Sequence, residues 1–308
     1  MKKLLKITFL GTAGSIPTPE RNPSAILVNT QHEMLMLDCG EGAQQQMMRV
    51  KSGLGKLSSI FITHFHADHI LGLPGLIQTL SFSGRTEPLH IYGPEGMHRF
   101  KQMFTLMGFY RPRFEVYTHE LAPHNEVRLR GYTMRTFRTK HSIPSIGYVL
   151  DEDERRGRFD RHKAEHVLGI PPGPLYSHLH NGESIEWGGM TINPSDVVGA
   201  PRKGRKIVYT GDTCPCEGIY EAAADADVLI HDSTFGSEHA ELAKKVMHST
   251  AREAAEVAKR VNAKRLILTH ISARYSESVQ PLLEEAREVF ANSDVAFDLS
   301  EFDVPYPE

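Results

Sequence analysis

The sequence predicts an α/β protein built of stacked sheets and helices, on three observations. A plan of short apolar strand, glycine turn and helix recurs along the chain. Many of those strands run out onto a histidine or an aspartate, which gathers reactive side chains at a single edge of a layered structure, where loops converge. The chain has 308 residues, 40% of them hydrophobic. It can therefore bury a substantial core and suits one large domain, or one domain with an insertion.

Composition narrows the classes of function. Charged residues make up 24% of the chain, as in ordinary soluble proteins. A net charge of −3 argues against a protein that coats nucleic acid indiscriminately, and leaves a nucleic-acid substrate open only where basic residues concentrate locally. No apolar run reaches membrane-spanning length, so a transmembrane helix and a membrane partner are not expected. The opening Met1-Lys2-Lys3-Leu4-Leu5-Lys6-Ile7-Thr8-Phe9-Leu10 carries positive charge like a signal peptide. Lys6 interrupts its apolar stretch, and Leu10-Gly11-Thr12-Ala13-Gly14 reads as a first strand entering a glycine turn, so the expectation is a cytoplasmic protein. Cys39, Cys214 and Cys216 imply no disulfide framework. Cys214-Pro215-Cys216 has one intervening residue rather than two, which favours packing beside an active loop over redox chemistry or a soft metal site.

In order, Arg21-Asn22-Pro23-Ser24 forms a loop and Ala25-Ile26-Leu27-Val28 a second strand; Met34-Leu35-Met36-Leu37 then runs into Asp38-Cys39-Gly40-Glu41-Gly42 and a helix from Ala43. Asp38 is a strand-end carboxylate that could support a metal ligand or start the helix. The strand Ile60-Phe61-Ile62 leads into Thr63-His64-Phe65-His66-Ala67-Asp68-His69, and a helical pattern follows from Leu71. Three imidazoles and a carboxylate so close would each need partners if buried, and the imidazoles would repel if protonated. A metal resolves both problems, because neutral imidazole and carboxylate are ligands for Zn²⁺ and similar cations. On a tight loop His64 and His66 can face one ion while Asp68 and His69 face another.

Leu89-His90-Ile91-Tyr92 and Gly93-Pro94-Glu95-Gly96 repeat the plan, with helix expected from Met97 to Met107. The strand at 132–137 delivers His141. Beyond Leu150 the character changes: 151–166 is dense in both charge signs, as solvated faces are, and Pro171-Pro172-Gly173-Pro174 breaks helix and stiffens the chain. This segment reads as an inserted arm. Pro201-Arg202-Lys203-Gly204-Arg205-Lys206 places four cations before the strand Ile207-Val208-Tyr209 and is either a phosphate contact or an exposed solubilising loop. That strand ends in Gly211-Asp212, the next in His231-Asp232-Ser233-Thr234, and Arg265-Leu266-Ile267-Leu268-Thr269-His270 closes on a further histidine. Thr250 and Glu253 fit a capping box for an alanine-rich helix running to about Val261, which leaves His248, just outside it, free for other work.

The strand-end set His64, His66, Asp68, His69, His141, Asp212 and His270 is too large for one tetrahedral zinc and suits two ions sharing a carboxylate. In motif and order the chain resembles the metallo-β-lactamase superfamily over nearly its full length. More narrowly, Phe9-Leu10-Gly11-Thr12, Asp38-Cys39-Gly40-Glu41-Gly42, Pro171-Pro172-Gly173-Pro174-Leu175, the basic run 201–206 and His248-Ser249-Thr250 are similar to those of short-form ribonuclease Z, the tRNA 3′-processing endonucleases. That resemblance implies a four-layer αβ/βα sandwich over 1–308, a homodimer, and an arm at about 150–195 that grips the tRNA body. It implies two Zn²⁺ per subunit, or Mn²⁺ or another divalent ion in their place. His64, His66 and His141 would hold one, Asp68, His69 and His270 the other, and Asp212 would bridge them. Precursor tRNA would be the substrate, with Pro172, Gly173, Pro174, Lys203, Arg205 and Lys206 as contacts. The family's His-Glu-Ala-Thr is His231-Asp232-Ser233-Thr234 here, one methylene shorter at the carboxylate.

Phosphodiester hydrolysis needs a nucleophile, relief of charge on phosphoryl oxygens and a proton for the departing alkoxide. Asp68 is expected to take or orient the proton of the attacking water, and His248, held by Asp232, to protonate the departing 3′ oxygen. The competing readings are a hydrolase of small phosphodiesters, thioesters or lactams, a non-catalytic RNA-binding protein, and a di-iron redox protein.

Overall fold

A computed structural model describes residues 5–30, 32–50, 53–107 and 112–307. Residues 1–4, part of the signal-peptide comparison, lie outside them. The chain divides into two compact units, the smaller spanning Glu152–Gly204 with the last two residues, the larger comprising the rest.

The larger unit contains two seven-stranded sheets. In spatial order the first is Glu301–Val304, Leu5–Gly11, Ala25–Asn29, Met34–Leu37, Leu57–Phe61, Leu89–Gly93 and Val116–Glu120. The second is Ser293–Val295, Leu266–Thr269, Val228–Asp232, Lys206–Tyr209, Ile146–Glu152, Tyr132–Arg138 and Glu126–Leu129. Strand side chains alternate between faces. Leu5, Ile7, Phe9, Ile26, Val28, Leu35 and Leu37 share one buried cluster with Tyr148, Leu150, Ile207, Tyr209, Val228 and Ile230, so this cluster lies between the sheets. The alternate residues Leu27, Met34, Met36 and Ile60 pack instead with Met47, Leu73, Leu76, Ile77 and Leu80 from helices Ala43–Arg49 and Gly72–Phe82. On the other side Val208, Leu229, Leu266 and Leu268 meet Ile219, Ala254, Ala255, Val257, Leu282 and Ala286 from helices Glu217–Ala222, Ala251–Arg260 and Gln280–Val289. Helix, sheet, sheet and helix give the expected four-layer αβ/βα sandwich. Burial on both faces explains why these strands read as nearly unbroken apolar runs. Each fully buried leucine or isoleucine stabilises the fold by roughly 1.5–3 kcal/mol.

Four strands of each sheet run parallel, so the chain leaves them at a common edge. Helix Met97–Met107 and the Thr250/Glu253 capping box occur as expected. One local expectation is corrected. Asp68 and His69 lie not on a loop but in a short helix, Ala67–Ile70, whose N-cap is His66. The turn from extended His66 into that helix performs the separation that a loop was expected to provide.

The smaller unit has its own core of Ala164, Ile170, Leu179, Ile185, Ile192 and Val197. It holds the hairpin Ile185–Trp187/Met190–Ile192 and the helix Pro174–His180. Pro174 opens that helix, where a missing N–H costs nothing. Arg158, Asp160, Arg161 and Lys163 are exposed, as a solvated charged face requires. No helix among the described residues is long and apolar enough to cross a membrane.

Candidate metal centre

All seven strand-end residues converge. His64, His66, His141 and Asp212 form one group, and Asp68, His69, Asp212 and His270 another, each with its potential ligand atoms within 4.8 Å of one another. Asp212 is common to both.

Hydrogen bonds decide which nitrogen each imidazole offers. His69 Nδ1 lies 2.8 Å from Asp38 Oδ2, and a carboxylate accepts, so Nδ1 carries the proton and Nε2 faces the centre. The Thr63 hydroxyl donates to Asp38 Oδ2 at 2.9 Å and therefore accepts from His64 Nδ1 at 2.9 Å. His141 Nδ1 donates to the Met247 carbonyl at 3.1 Å. The Thr234 hydroxyl donates to Asp232 Oδ1 at 2.7 Å and accepts from His270 Nδ1 at 2.9 Å. Four histidines thus present Nε2 inward. His66 differs, since its Nδ1 lies 3.0 Å from His64 Nε2 and 3.1 Å from His141 Nε2.

Backbone geometry holds these groups. Asp38 (φ 55°) and His270 (φ 61°) both sit in the left-handed region, where a residue with a Cβ is strained. Asp38 is fixed there by the Thr63 N–H at 2.7 Å, by His69 and by the Tyr209 hydroxyl at 2.8 Å. Gly14 clears His270, because a Cβ at Gly14 would lie 2.4 Å from His270 Nδ1.

The donor set fits divalent cations. Among the described residues, buried His69 Nε2 and Asp212 Oδ1 have no hydrogen-bond partner, although they lie 3.3 Å apart. Orphaned buried polar atoms of this kind call for an explanation, and a cation supplies one. Burial pushes His64 well below its ordinary range, with His69 adding to the effect, and burial lowers His66 and His141 as well. Burial opposes ionisation of Asp212, yet His270, His69 and His64 hold it well below the usual carboxylate range. Against burial, His270 and His69 do the same for Asp68. Neutral imidazoles and ionised carboxylates are the forms that bind metal. His69 is the exception: despite burial, the carboxylates Asp212 and Asp38 raise it well above its ordinary value.

His248 stands beside this set. Its ring centroid is 5.0 Å from that of His141 and 5.1 Å from that of His270. Nδ1 lies 2.7 Å from Asp232 Oδ2. Burial opposes charge on His248, and the charge and hydrogen bond of Asp232 outweigh it, raising the pKa to about 9. Asp232 accepts in turn from the backbone N–H groups of Thr213 and Thr234, each at 3.0 Å. The shorter carboxylate therefore still reaches His248. Asp232, His248, His270 and Asp212 also form a third cluster able to hold a metal.

Two candidate contacts need correction or narrowing. Arg205 is buried, not exposed: its guanidinium donates to the Val304 carbonyl at 3.1 Å and stacks 4.0 Å from the Tyr306 ring centroid. It braces the last strand and cannot reach a phosphate. Lys206 is half-buried and donates to the Ala224 carbonyl at 2.7 Å, whereas Lys203, Pro172, Gly173 and Pro174 are exposed. The supporting roles of Thr63, Thr234 and Tyr209 escape sequence reading, because hydroxyl residues in strands and turns carry no ligand signature. The Cys214 and Cys216 thiols lie 3.6 and 3.7 Å from the His248 and Arg138 carbonyls.

A double-sheet sandwich with His-x-His-x-Asp-His at its strand-end edge defines the metallo-β-lactamase class. The family described as Beta-lactamase superfamily domain matches residues 174–271, and the one described as Anti-Pycsar protein Apyc1 matches residues 5–156. Ribonuclease Z of Methanosarcina acetivorans is 53% identical over 303 residues, spanning 98% of this chain and 99% of the relative. Ribonuclease Z of Archaeoglobus fulgidus is 48% identical over 305 residues, 99% of each. The crystal structure of human tRNase Z, short form, superposes with a TM-score of 0.71 at 28% identity, covering 97% of this chain and 99% of that one. The chain belongs to the ribonuclease Z family.

Proposed function

We propose that this protein is a metal-dependent endoribonuclease that removes the 3′ trailer from precursor tRNA, leaving a 3′ hydroxyl on the tRNA and a 5′ phosphate on the trailer. The observation that carries this reading is the convergence of the complete seven-residue set on Asp212 in a chain of this family. Two Zn²⁺ would be held by His64, His66, His141 and Asp212 and by Asp68, His69, His270 and Asp212, and would supply there the activation of water and the relief of phosphoryl charge. Mn²⁺ or another divalent ion is compatible with the same donors.

The chain's own residues supply the proton transfers. Asp68 is ionised, and its Oδ2 is held 3.3 Å from His270 Nε2, placing it to orient the attacking water's proton. His248 keeps its Nδ1 proton on Asp232 and offers the Nε2 proton to the departing 3′ oxygen. Asp232 keeps it charged until that step.

The unit Glu152–Gly204 is the proposed tRNA-gripping arm, with Pro172, Gly173, Pro174 and Lys203 as contacts and Arg205 excluded by burial. The protein is further proposed to act in the cytoplasm as a homodimer, which light scattering of the purified protein tests. For the activity itself, purified protein is incubated with a 3′-extended precursor tRNA, with and without chelator, and both new ends are mapped. Cleavage at the 3′ side of the tRNA that chelator abolishes supports the reading; intact precursor under metal-replete conditions refutes it.

A further inference from the structure

Beside the metal centre the larger unit carries a groove of about 1020 Å³, walled by the segment 138–146, the turn at 120–125 and the start of helix Glu217–Ala222. His141, whose imidazole is buried, forms part of its wall, so the groove runs beside the cluster. Its size lies at the upper end of ordinary ligand sites, roughly 300–1,000 Å³, and exceeds what a single phosphate needs.

Two exposed cations, Arg138 and Lys140, line it. Among the described residues neither makes a hydrogen bond or ion pair through its side chain. Their backbone is nonetheless fixed. The Lys140 N–H donates to Thr213 Oγ1 at 3.0 Å, and its carbonyl accepts from the Cys214 N–H at 2.9 Å. Thr139 and Ser145 are joined through their hydroxyls at 2.6 Å, closing the loop that carries His141. The Arg138 carbonyl is approached so closely by helix Glu217–Ala222 that a Cβ at Gly218 would lie 2.2 Å from it. Of the acidic residues in the walls, Glu120 accepts from the Gly96 N–H at 2.8 Å and is paired with His98, and Glu217 lies 3.8 Å from Arg260. Glu95 is the remaining acid there. The wall nearest His141 therefore offers uncommitted positive charge on a rigid backbone.

We propose that this groove seats the single-stranded trailer leading 3′ from the scissile phosphate, with Arg138 and Lys140 taking successive trailer phosphates. The proposal rests on the ribonuclease reading above. Size selects this occupant. An acceptor stem is a duplex too wide for such a groove, whereas an unpaired strand tracked by a positive wall is the usual mode of sequence-independent single-strand binding.

The test compares precursor tRNAs bearing a single-nucleotide trailer and a long unstructured one, using wild-type protein, R138A, and R138A/K140A. Bound zinc is measured in each, so that damage to His141 is detected separately. For wild type, KM falls as the trailer lengthens. In the double variant that gain disappears, roughly two- to fivefold for each exposed ion pair with a phosphate that is removed. The slope of log affinity against log salt for the long-trailer substrate becomes shallower by about 1.4, at roughly 0.7 per single-strand phosphate neutralised. R138A alone gives about half of each effect. If wild type cleaves precursor but variant and wild type share the same KM gain and salt slope, the groove is not the trailer site. If wild type cleaves no precursor at all, the ribonuclease reading itself has failed.

Discussion

At the scale of residues, the proposed chemistry turns on which proton sits on which nitrogen. Asp232 removes ambiguity at His248, since it accepts from Nδ1 at 2.7 Å and leaves Nε2 as the acid. His248→Ala should keep the full metal complement and lose turnover by a factor on the order of 10² or more; a variant cutting precursor tRNA at a near-normal rate would remove His248 from the mechanism. The pH dependence has a defined sign. An acid with its pKa raised to about 9 works below that value and fails as pH rises through it. In Asp232→Asn the anion responsible is gone, so the alkaline limb of kcat/KM moves down toward the ordinary histidine value of about 6.5. An unmoved limb would show that it reports another group. Asp38 touches no proposed metal position, yet it fixes the His69 tautomer and, through Thr63, that of His64. Asp38→Ala is expected to weaken metal binding by roughly 10–100-fold, measured by competition with a chelator of known affinity; unchanged affinity would make Asp38 a purely structural residue.

At the scale of elements, parallel strands deliver the candidate ligands other than His141 to a common edge, and small residues let neighbouring segments close upon them. Ala13–Gly14 pairs in parallel with Ile271–Ser272, which lays the first glycine turn against His270. A Cβ at Gly14 would meet both His270 Nδ1 at 2.4 Å and the His270 carbonyl at 2.6 Å. Backbone cannot yield as a flexible side chain can. Gly14→Ala should therefore displace His270 and lower metal occupancy while leaving global unfolding nearly unchanged, as read by elemental analysis beside a denaturation curve. Full occupancy would mean that the turn relaxes without cost. The basic run 201–206 shows how an element reassigns its residues. Lys206 begins a strand opposite Asp151, and Arg205 just before it turns into the interior beneath Tyr306. A run of four cations therefore does not make four surface contacts.

At the scale of the whole molecule, a second compact unit with a separate core is inserted between two neighbouring strands. Asp151 and Lys206 pair in register, so a tight turn in place of residues 153–203 can close the hairpin and leave the larger unit's core clusters intact. Such a variant should hydrolyse a small phosphodiester such as bis-p-nitrophenyl phosphate while its KM for precursor tRNA rises, because the proposed tRNA contacts Pro172, Gly173, Pro174 and Lys203 are removed together. Equal impairment on both substrates would assign the unit a structural role instead.

The seven potential ligands, the layered class and the inserted segment were all legible in the sequence. Each leaves a local mark: ligand residue types in tight spacing, apolar runs of strand length, and a switch to dense charge and proline. Family resemblance added the four-layer arrangement. What only the folded chain decided was nonlocal. Asp38, Thr63, Thr234 and Tyr209 became supports because strands distant in sequence lie side by side. Arg205 became an interior brace because the last strand covers it. Side-chain type and spacing are written along one dimension, whereas burial and hydrogen-bond partnership depend on which segments meet in three.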